Sequence, residues 1–251
     1  MMDAKLSLLV VIGLIATSGS ARSDKKANEV IEAAIKAHGG LEAHKKSSAR
    51  EVSFEGTWIT PRLSLKFKSQ TSFVLPDKSR ESMELTDRNS TVEVIVNGDK
   101  LKQIINGQVV ELKDQVMKAQ YQQNLMIHDI TQFYTLLDDK VYSVKSLRDE
   151  LVNDRDTNAI QVTRIGMKEV TLYFDKETNR LLKFAFKTRS PFDSEKEVLQ
   201  ESFQSDFKEF KGLLLPTTVV IKQDGKEFMK VKVLDVKIPE KPDLKAYKVD
   251  E

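Results

Sequence analysis

The sequence predicts a mainly β protein of the α+β class, in which a single curled antiparallel sheet of about eleven strands forms a half-open barrel with helices packed on its concave face. Two observations support this prediction. After Arg50, apolar and polar residues alternate with a period of two over most of the chain, which is typical of strands with one buried face. Residues 114–137 interrupt the alternation without a Gly or Pro and have helical character.

The N-terminal 21 residues have the features of a secretory signal peptide. Lys5 precedes an apolar run from Leu6 to Ala16, and Gly19-Ser20-Ala21 matches the small-residue pattern of a cleavage site. The alternative is an uncleaved anchor, but the run is shorter than the ~20 apolar residues that span a bilayer. We therefore expect a signal peptide over residues 1–21 and a mature periplasmic chain, residues 22–251, with no transmembrane segment.

The mature chain is expected to begin with a helix. Ser23 or Asp24 can cap it, apolar residues then recur at helical spacing up to His38, and Gly39-Gly40 ends it. A short second helical turn follows from Leu41 to Lys46.

Strands follow in a meander of antiparallel segments. The alternation begins at Arg50 and is clearest between Leu63 and Leu75. Asn97-Gly98 and Asn106-Gly107 predict type I′ hairpin turns, because these residue types tolerate positive φ angles. The first set of strands is expected to end near Leu112.

A helical insert over about residues 114–137 separates this set of strands from a second one. The second set runs from Tyr142 through Val236 and contains a tight hairpin at Asp224-Gly225. Pro239 ends the sheet, and Asp243 to Tyr247 can form a last helical turn. No linker rich in Pro, Gly or Ser divides the mature chain, so we expect one domain.

The composition gives no indication of a nucleic-acid-binding surface. The 40 Lys and Arg residues nearly balance 38 Asp and Glu residues, for a formal net charge of +2, whereas nucleic-acid-binding domains usually carry a clustered basic face. Cysteine is absent, which excludes disulfides, thiolate metal sites, a Cys nucleophile and lipid attachment at a Cys. An exported chain without Cys is consistent with a bacterial periplasm.

No motif for catalysis, metal binding or a cofactor is evident in the sequence. His38 and His44 do not have the i, i+4 spacing of a helical metal site, and His128 lies among apolar residues. The carboxylates are scattered over turns, and glycine-rich phosphate loops and nucleophile elbows are absent. We therefore predict no catalytic residue, no metal and no cofactor.

Several strand-and-turn segments occur in a characteristic order. In Val170–Lys183 an apolar strand ends in an acidic turn, and in Ser205–Pro216 an aromatic strand ends in Lys-Gly before Leu-Leu-Leu-Pro. Gly39-Gly40, the turn Asn97-Gly98-Asp99-Lys100 and the strand from Asn106 to Leu112 precede them. This succession resembles the LolA-like family, which comprises periplasmic lipoprotein carriers and their relatives, and the resemblance extends over nearly the whole mature chain.

The resemblance implies a half-barrel that shelters an apolar ligand on its concave face. Strand alternation and helical spacing indicate which apolar side chains would point to that face. The candidate ligand-binding residues are Phe54, Trp58, Leu65, Phe67, Phe73, Val94, Leu125, Met126, Ile130, Phe133, Phe174, Phe184 and Phe186. The alternative for each of them is a place in an ordinary hydrophobic core.

We therefore expect a non-enzymatic periplasmic protein that binds or carries a lipid, or the acyl chains of a lipoprotein. The alternative is an interaction or envelope-stress sensor module that binds a protein partner, since the family also includes periplasmic regulators of that kind. A hydrolase is a third interpretation, for which the sequence nominates no residue.

Overall fold

The computed structural model describes residues 24–60, 62–111, 115–190 and 193–249. The predicted signal peptide and Asp114 lie outside the described residues. Within the described part, helices occur as α1 (Lys25–Ala37), α2 (Leu41–Lys46), α3 (Gln115–Ile130) and two 3₁₀-helices, Tyr134–Leu137 and Leu244–Tyr247. The helical insert predicted over about residues 114–137 therefore consists of α3 and the first 3₁₀-helix.

The described residues also form fourteen strands in one sheet, and every pairing between them is antiparallel. The strands are β1 (Ala49–Ile59), β2 (Ser64–Val74), β3 (Lys78–Leu85), β4 (Ser90–Asn97), β5 (Lys100–Ile105), β6 (Gln108–Val110), β7 (Ser143–Ser146), β8 (Glu150–Val152), β9 (Arg155–Thr163), β10 (Val170–Asp175), β11 (Leu181–Ser190), β12 (Asp193–Phe210), β13 (Leu213–Gln223) and β14 (Lys226–Lys237).

The fold class is confirmed, whereas the predicted number of about eleven strands is too low. The strands β6 and β8 have three residues each and β7 has four. Strand β6 lies within the strand expected from Asn106 to Leu112, whereas β7 and β8 contain too few residues to show an alternation of two, so the sequence pattern does not resolve them.

The order of strands explains why a helix crosses the concave side. The sheet runs β6-β5-β4-β3-β2-β1-β14-β13-β12-β11-β10-β9-β7, with β8 paired to β9. The chain thus builds one meander from the centre to the β6 edge and a second from the β7 edge back to the centre, where β14 pairs with β1. Because β6 and β7 lie at opposite edges, the connection that contains α3 spans the sheet.

Helix α1 forms as the sequence predicts and packs against β7 and the first 3₁₀-helix. The Asp24 side chain accepts a hydrogen bond from the Lys26 backbone N–H at 2.9 Å and so caps the N-terminus. Ala27, Ile31 and Ala34 recur at helical spacing and have no exposed surface. The buried face of α1 is therefore the one that the periodicity indicates.

The end of α1 is held against the start of β13. Gly39 has φ +117°, and a Cβ atom placed on it would overlap the carbonyl of Gly212. The Leu214 N–H donates to the His38 carbonyl at 3.1 Å. Two separate landmarks of the sequence, the Gly-Gly pair and the Lys-Gly-Leu segment, are therefore in direct contact.

Three hairpin turns test the dipeptide predictions. Asn106-Gly107, with φ of 49° and 79°, and Asp224-Gly225, with φ of 47° and 76°, both have two successive residues at positive φ, as a type I′ turn requires. The third turn is shifted by one residue, because Asn97 still pairs with Lys100 and Gly98-Asp99 forms the turn. The Asn97 side chain instead donates to the Tyr247 carbonyl at 3.2 Å.

The register of β1 and β2 defines the two faces of the sheet. In β2 the side chain of Phe67 is buried, whereas the flanking Lys66 and Lys68 are exposed. Phe67 pairs with Gly56 of β1, and a Cβ on Gly56 would lie 2.5 Å from the Phe67 ring. The glycine therefore leaves the space that the ring occupies. None of the helices in the described part of the chain is long and apolar enough to cross a membrane.

Candidate ligand-binding site on the concave face

The largest buried cluster fills one side of the concave face. It joins α1, the C-terminal half of α3, the first 3₁₀-helix and strands β7, β9, β10 and β11. Of the predicted ligand-binding residues, this cluster contains Met126, Ile130, Phe133, Phe174 and Phe186, with Phe184 packed against it. The first five are almost completely buried by protein.

A second buried cluster lies on the other side of α3. Val94 and Leu125, both predicted candidates, pack there with Val96 and the partly buried Tyr121. Leu125 and Met126 are adjacent in sequence but contribute to different clusters. Helix α3 therefore contacts both halves of the curved sheet.

Two further candidates are buried in β2. Phe67 is only 1% exposed, and its ring meets the Phe54 ring edge-on, with 6.3 Å between centroids. Phe73 stacks on the His128 ring of α3 at 4.9 Å, and the guanidinium of Arg50 lies 5.5 Å from the Phe73 ring centre.

The remaining candidates form an apolar surface that neither of these clusters includes. Phe54, Trp58 and Leu65 are half-buried, and Trp58 pairs with Leu65 across β1 and β2. Cross-strand pairing adds half-buried apolar residues of β13 and β14 to the same face. We call this surface the open strip, and it consists of Phe54, Trp58, Leu65, Val219, Ile221, Met229, Val231 and Val233.

The sequence-based list omitted the residues of the open strip that come from β13 and β14. In β14, Met229, Val231 and Val233 alternate with Lys230 and Lys232. That alternation is the signal that identifies them. Their neighbourhood with Trp58 follows only from the pairing of the first strand with the last.

The open strip leads to a cavity at the ends of two hairpins. This hairpin cavity has a volume of about 780 Å³ and is lined by Thr60, Arg62, Leu63, Leu65, Leu85, Arg88 and Ser90. Leu65 belongs to both the strip and the cavity. The cavity is widely open to solvent on one side.

A small polar space lies beneath α3. Thr71, Ser79, Glu81, Tyr121 and His128 are among the residues that surround a volume of about 20 Å³, enough for a single water molecule. Burial raises the pKa of Glu81. Burial and the nearby Glu81 carboxyl raise the pKa of Tyr121.

A buried arginine joins the end of α3 to β1. Arg50 is 8% exposed and donates to the Ser47 hydroxyl at 3.1 Å and to the Gln132 side-chain oxygen at 3.2 Å. Burial lowers its pKa to about 10. No carboxylate of the described residues forms an ion pair with it, so the two neutral oxygens accept the hydrogen bonds of a buried charge.

Glutamine side chains attach α3 to the second half of the sheet. Gln123 accepts from the Lys168 N–H at 2.9 Å and donates to the Lys168 carbonyl at 3.1 Å. Gln120 donates to the Thr188 hydroxyl at 3.2 Å and to the Arg189 carbonyl at 3.1 Å. These contacts border a second open cavity of about 460 Å³.

His38 has structural partners at both ring nitrogens, whereas the buried ring nitrogens of His44 have none among the described residues. The Nδ1 of His38 lies 2.9 Å from the Ala34 carbonyl, as expected for a histidine at a helix end, and its Nε2 is 3.5 Å from the Leu181 N–H. Burial lowers the pKa of His38 to about 4, and the charge of Arg180 acts in the same direction. In the described part of the chain, no group of three or more His, Asp or Glu residues is placed to hold a metal ion.

The architecture defines a class of protein, an open antiparallel half-barrel with helices against its concave face. No family model matches the chain, and no curated protein matches it. Several solved structures, however, match its fold. A LolA superfamily protein from Nitrosomonas europaea is 16% identical, with a TM-score of 0.59 over 88% of this chain and 97% of that one.

Two more solved structures have the same fold. A DUF1329 family protein from Desulfovibrio piger is 12% identical, with a TM-score of 0.56 over 89% of this chain and 97% of that one. A putative outer membrane lipoprotein-sorting protein domain from Vibrio parahaemolyticus is 11% identical, with a TM-score of 0.53 over 88% and 97%. The chain therefore has a LolA-like fold.

Proposed function

We propose that the protein is a non-enzymatic, exported binding protein of the periplasm that holds the acyl chain of a lipid or lipoprotein against the open strip. The observation that carries this proposal is the half-exposed apolar surface around Trp58, which continues into the hairpin cavity. The fold, shared with a putative outer membrane lipoprotein-sorting domain, supports it.

The energetics favour an apolar chain at this place. Each CH₂ group moved from water to an apolar surface contributes about 0.8 kcal/mol. A chain of a dozen carbons therefore gains several kcal/mol even when it is only partly covered. Met229 is suited to such a surface, because its flexible side chain adapts to ligands of different shape.

The buried candidates have a different role in this proposal. Phe133, Phe174 and their neighbours are already covered by protein, so a ligand could reach them only if α3 moved. The open strip is accessible with α3 in place. The proposed ligand-binding residues are therefore Phe54, Trp58, Leu65 and the apolar residues of β13 and β14, with the other candidates as core.

Trp58 makes the proposal directly testable, because it is the one tryptophan of the chain. A brominated fatty acid in contact with the open strip should quench its fluorescence. Leu65→Glu places a charge beside Trp58 on the same face. The apparent affinity for the fatty acid, obtained from the quenching titration, should fall roughly tenfold or more in this variant. The control Lys66→Glu adds the same carboxylate to the opposite face of the same strand.

The titrations of the wild type and the two variants test whether the ligand binds at the open strip. If both variants melt like the wild type and only Leu65→Glu loses quenching, the ligand lies on the open strip. Saturation of the wild type without any quenching, or equal loss in both variants, would contradict the proposal. Phe67 is unsuitable for this test, since a charge at a side chain that is 1% exposed would unfold the protein.

A second candidate, a module that binds a protein partner, is supported by one edge of the sheet. Val109 of the edge strand β6 is 62% exposed and Val110 is 38% exposed. An exposed apolar edge strand can accept a strand from another chain. Recovery of the protein without lipid, together with a crosslink through β6, would favour this function over lipid binding.

A further inference from the structure

The hairpin cavity combines an aliphatic wall with two cationic side chains. Leu63, Leu65 and Leu85 supply the wall, and Leu63 is 40% exposed. Arg62 and Arg88 line the same space from two different turns. An apolar wall beside concentrated positive charge matches a molecule that has an apolar part and an anionic part.

Arg62 and Arg88 form no ion pair with a carboxylate of the residues that the structure describes. Many other surface cations have such a partner, for example Arg80 with Glu93 and Lys168 with Glu197. The nearby Asp87 carboxylate accepts a hydrogen bond from the Lys66 N–H at 3.0 Å and is used in the backbone of the turn. The charges of both arginines are therefore available to an external anion.

Hydrogen bonds define the turns that carry the arginines. The Thr60 hydroxyl accepts from the Leu63 N–H at 3.0 Å and donates to the Leu63 carbonyl at 2.7 Å. The Arg88 N–H donates to the Leu85 carbonyl at 3.0 Å. The Thr86 N–H donates to the Lys66 carbonyl at 3.0 Å and ties the second turn to β2. Both arginines therefore lie beside backbone groups that are held by hydrogen bonds.

The cavity is also the end of the open strip. Leu65 lines the cavity and pairs with Trp58 on the concave face. Leu85 pairs with Phe67 on that face. A chain that lies along the strip would therefore bring its polar end to Arg62 and Arg88.

We propose that the hairpin cavity binds the anionic head group of an amphiphilic lipid, with Arg62 and Arg88 as paired donors to a phosphate. This inference rests on the proposed function and adds the chemical class of the ligand. The planar guanidinium donates two parallel hydrogen bonds to a phosphate or carboxylate, which makes arginine the side chain best matched to such a group. The ligand is thus a lipid with an anionic head group, and neutral lipids of equal chain length bind less well.

The test compares two lipids that differ only in the head group. Lysophosphatidic acid and a monoacylglycerol of the same chain are titrated into the full mature protein, and displacement of a brominated fatty acid from Trp58 reports binding. Wild-type protein should bind lysophosphatidic acid roughly tenfold more tightly or better, because charge-assisted hydrogen bonds replace neutral ones. Added salt should reduce this preference.

The double variant Arg62→Gln/Arg88→Gln should abolish the preference for lysophosphatidic acid over the monoacylglycerol. The control Lys66→Gln/Lys68→Gln removes the same charge from the outer face of β2 and should keep the preference. Thermal melting confirms that each variant is folded.

The possible results separate this inference from the proposed function. Equal affinity for both lipids in the wild type, or a preference that survives in the Arg62→Gln/Arg88→Gln variant, would overturn the head-group site while acyl binding stands. Binding of neither lipid would overturn both. Competition by inorganic phosphate alone as effective as that by lysophosphatidic acid would show a free-phosphate site and also overturn the inference.

Discussion

Gly39 and Gly40 are neighbours with different structural constraints. Both have positive φ, +117° and +85° respectively, which side chains other than glycine rarely adopt. Only Gly39 is also in close contact, since an added Cβ would lie 3.2 Å from the Leu213 Cα and would overlap the Gly212 carbonyl. Gly40 has no atom within 4 Å of that position.

The pair provides an internally controlled stability test. Gly40→Ala should lower the free energy of unfolding by about 1 kcal/mol, the strain of a positive φ. Gly39→Ala should lower it by at least about 2 kcal/mol more, because α1 must separate from β13 to accommodate the methyl group. Urea unfolding of both variants measures the difference. Equal losses would show that the contact with Gly212 contributes nothing.

At the scale of elements, glutamine side chains attach the N-terminal half of α3 to the second half of the sheet. Gln120 and Gln123 hold backbone groups of the opposing segments, and Tyr121 lies in the second cluster. The Gln123 side chain forms hydrogen bonds with both the N–H and the carbonyl of Lys168, as a neighbouring strand would. The loss of such a pair leaves backbone groups at the edge of α3 that only water can then satisfy.

The variant Gln120→Ala/Gln123→Ala should therefore loosen α3 without unfolding the protein. Each lost set of hydrogen bonds is worth about 1 kcal/mol, so amide exchange in α3 should accelerate by roughly 10- to 30-fold. Amides of α1 should exchange as before. Gln122→Ala is the control, because Gln122 borders the same cavity and is not one of the attaching side chains. An equal acceleration in α1 would indicate global destabilisation instead.

Helix α3 also illustrates which features of the fold could be predicted from the sequence. The helical character of this segment was predictable from the absence of Gly and Pro, although the predicted insert of about residues 114–137 did not show where α3 ends, at Ile130. The inner faces of β1 and β2 were predictable from their alternation. The alternation shows which residues share a face, but it does not show what packs on them. Phe133 is buried and Trp58 is only half-buried because α3 crosses the concave face near Phe133. The position of that crossing depends on the order of the strands. The candidate site could therefore be predicted as a face but not as a particular place on it.

At the scale of the whole molecule, three neutral histidines make stability dependent on pH. Burial lowers the pKa of His38, His44 and His128 from 6.5 to about 4. The folded pKa of each lies below the unfolded value, so its contribution is complete above about pH 6.5 and is lost progressively down to about pH 4. Burial raises the pKa of Glu81 and Asp129, which opposes this trend.

We expect the free energy of unfolding to fall between pH 7 and pH 5, and His128→Phe to reduce that fall by about 2 kcal/mol. Phenylalanine keeps a ring stacked on Phe73 but cannot bind a proton, and it removes a charge that would form near Arg50 at low pH. Urea unfolding at both pH values tests this. The same pH dependence in wild type and variant would mean that His128 does not titrate in this range.

The pairing of β1 with β14 has a consequence for the rate of folding. Gly56 aligns with Val231, so the centre of the sheet joins residues from opposite ends of the chain. Each meander can form from successive hairpins, but the two halves unite only after nearly the whole chain has been synthesised and its ends have met. Such distant contacts fold slowly because the entropy of a long loop is lost before any contact compensates for it. Until that moment the edges of β1 and β14 that later pair with each other are open, so the chain is most prone to aggregate just before its last strand is added.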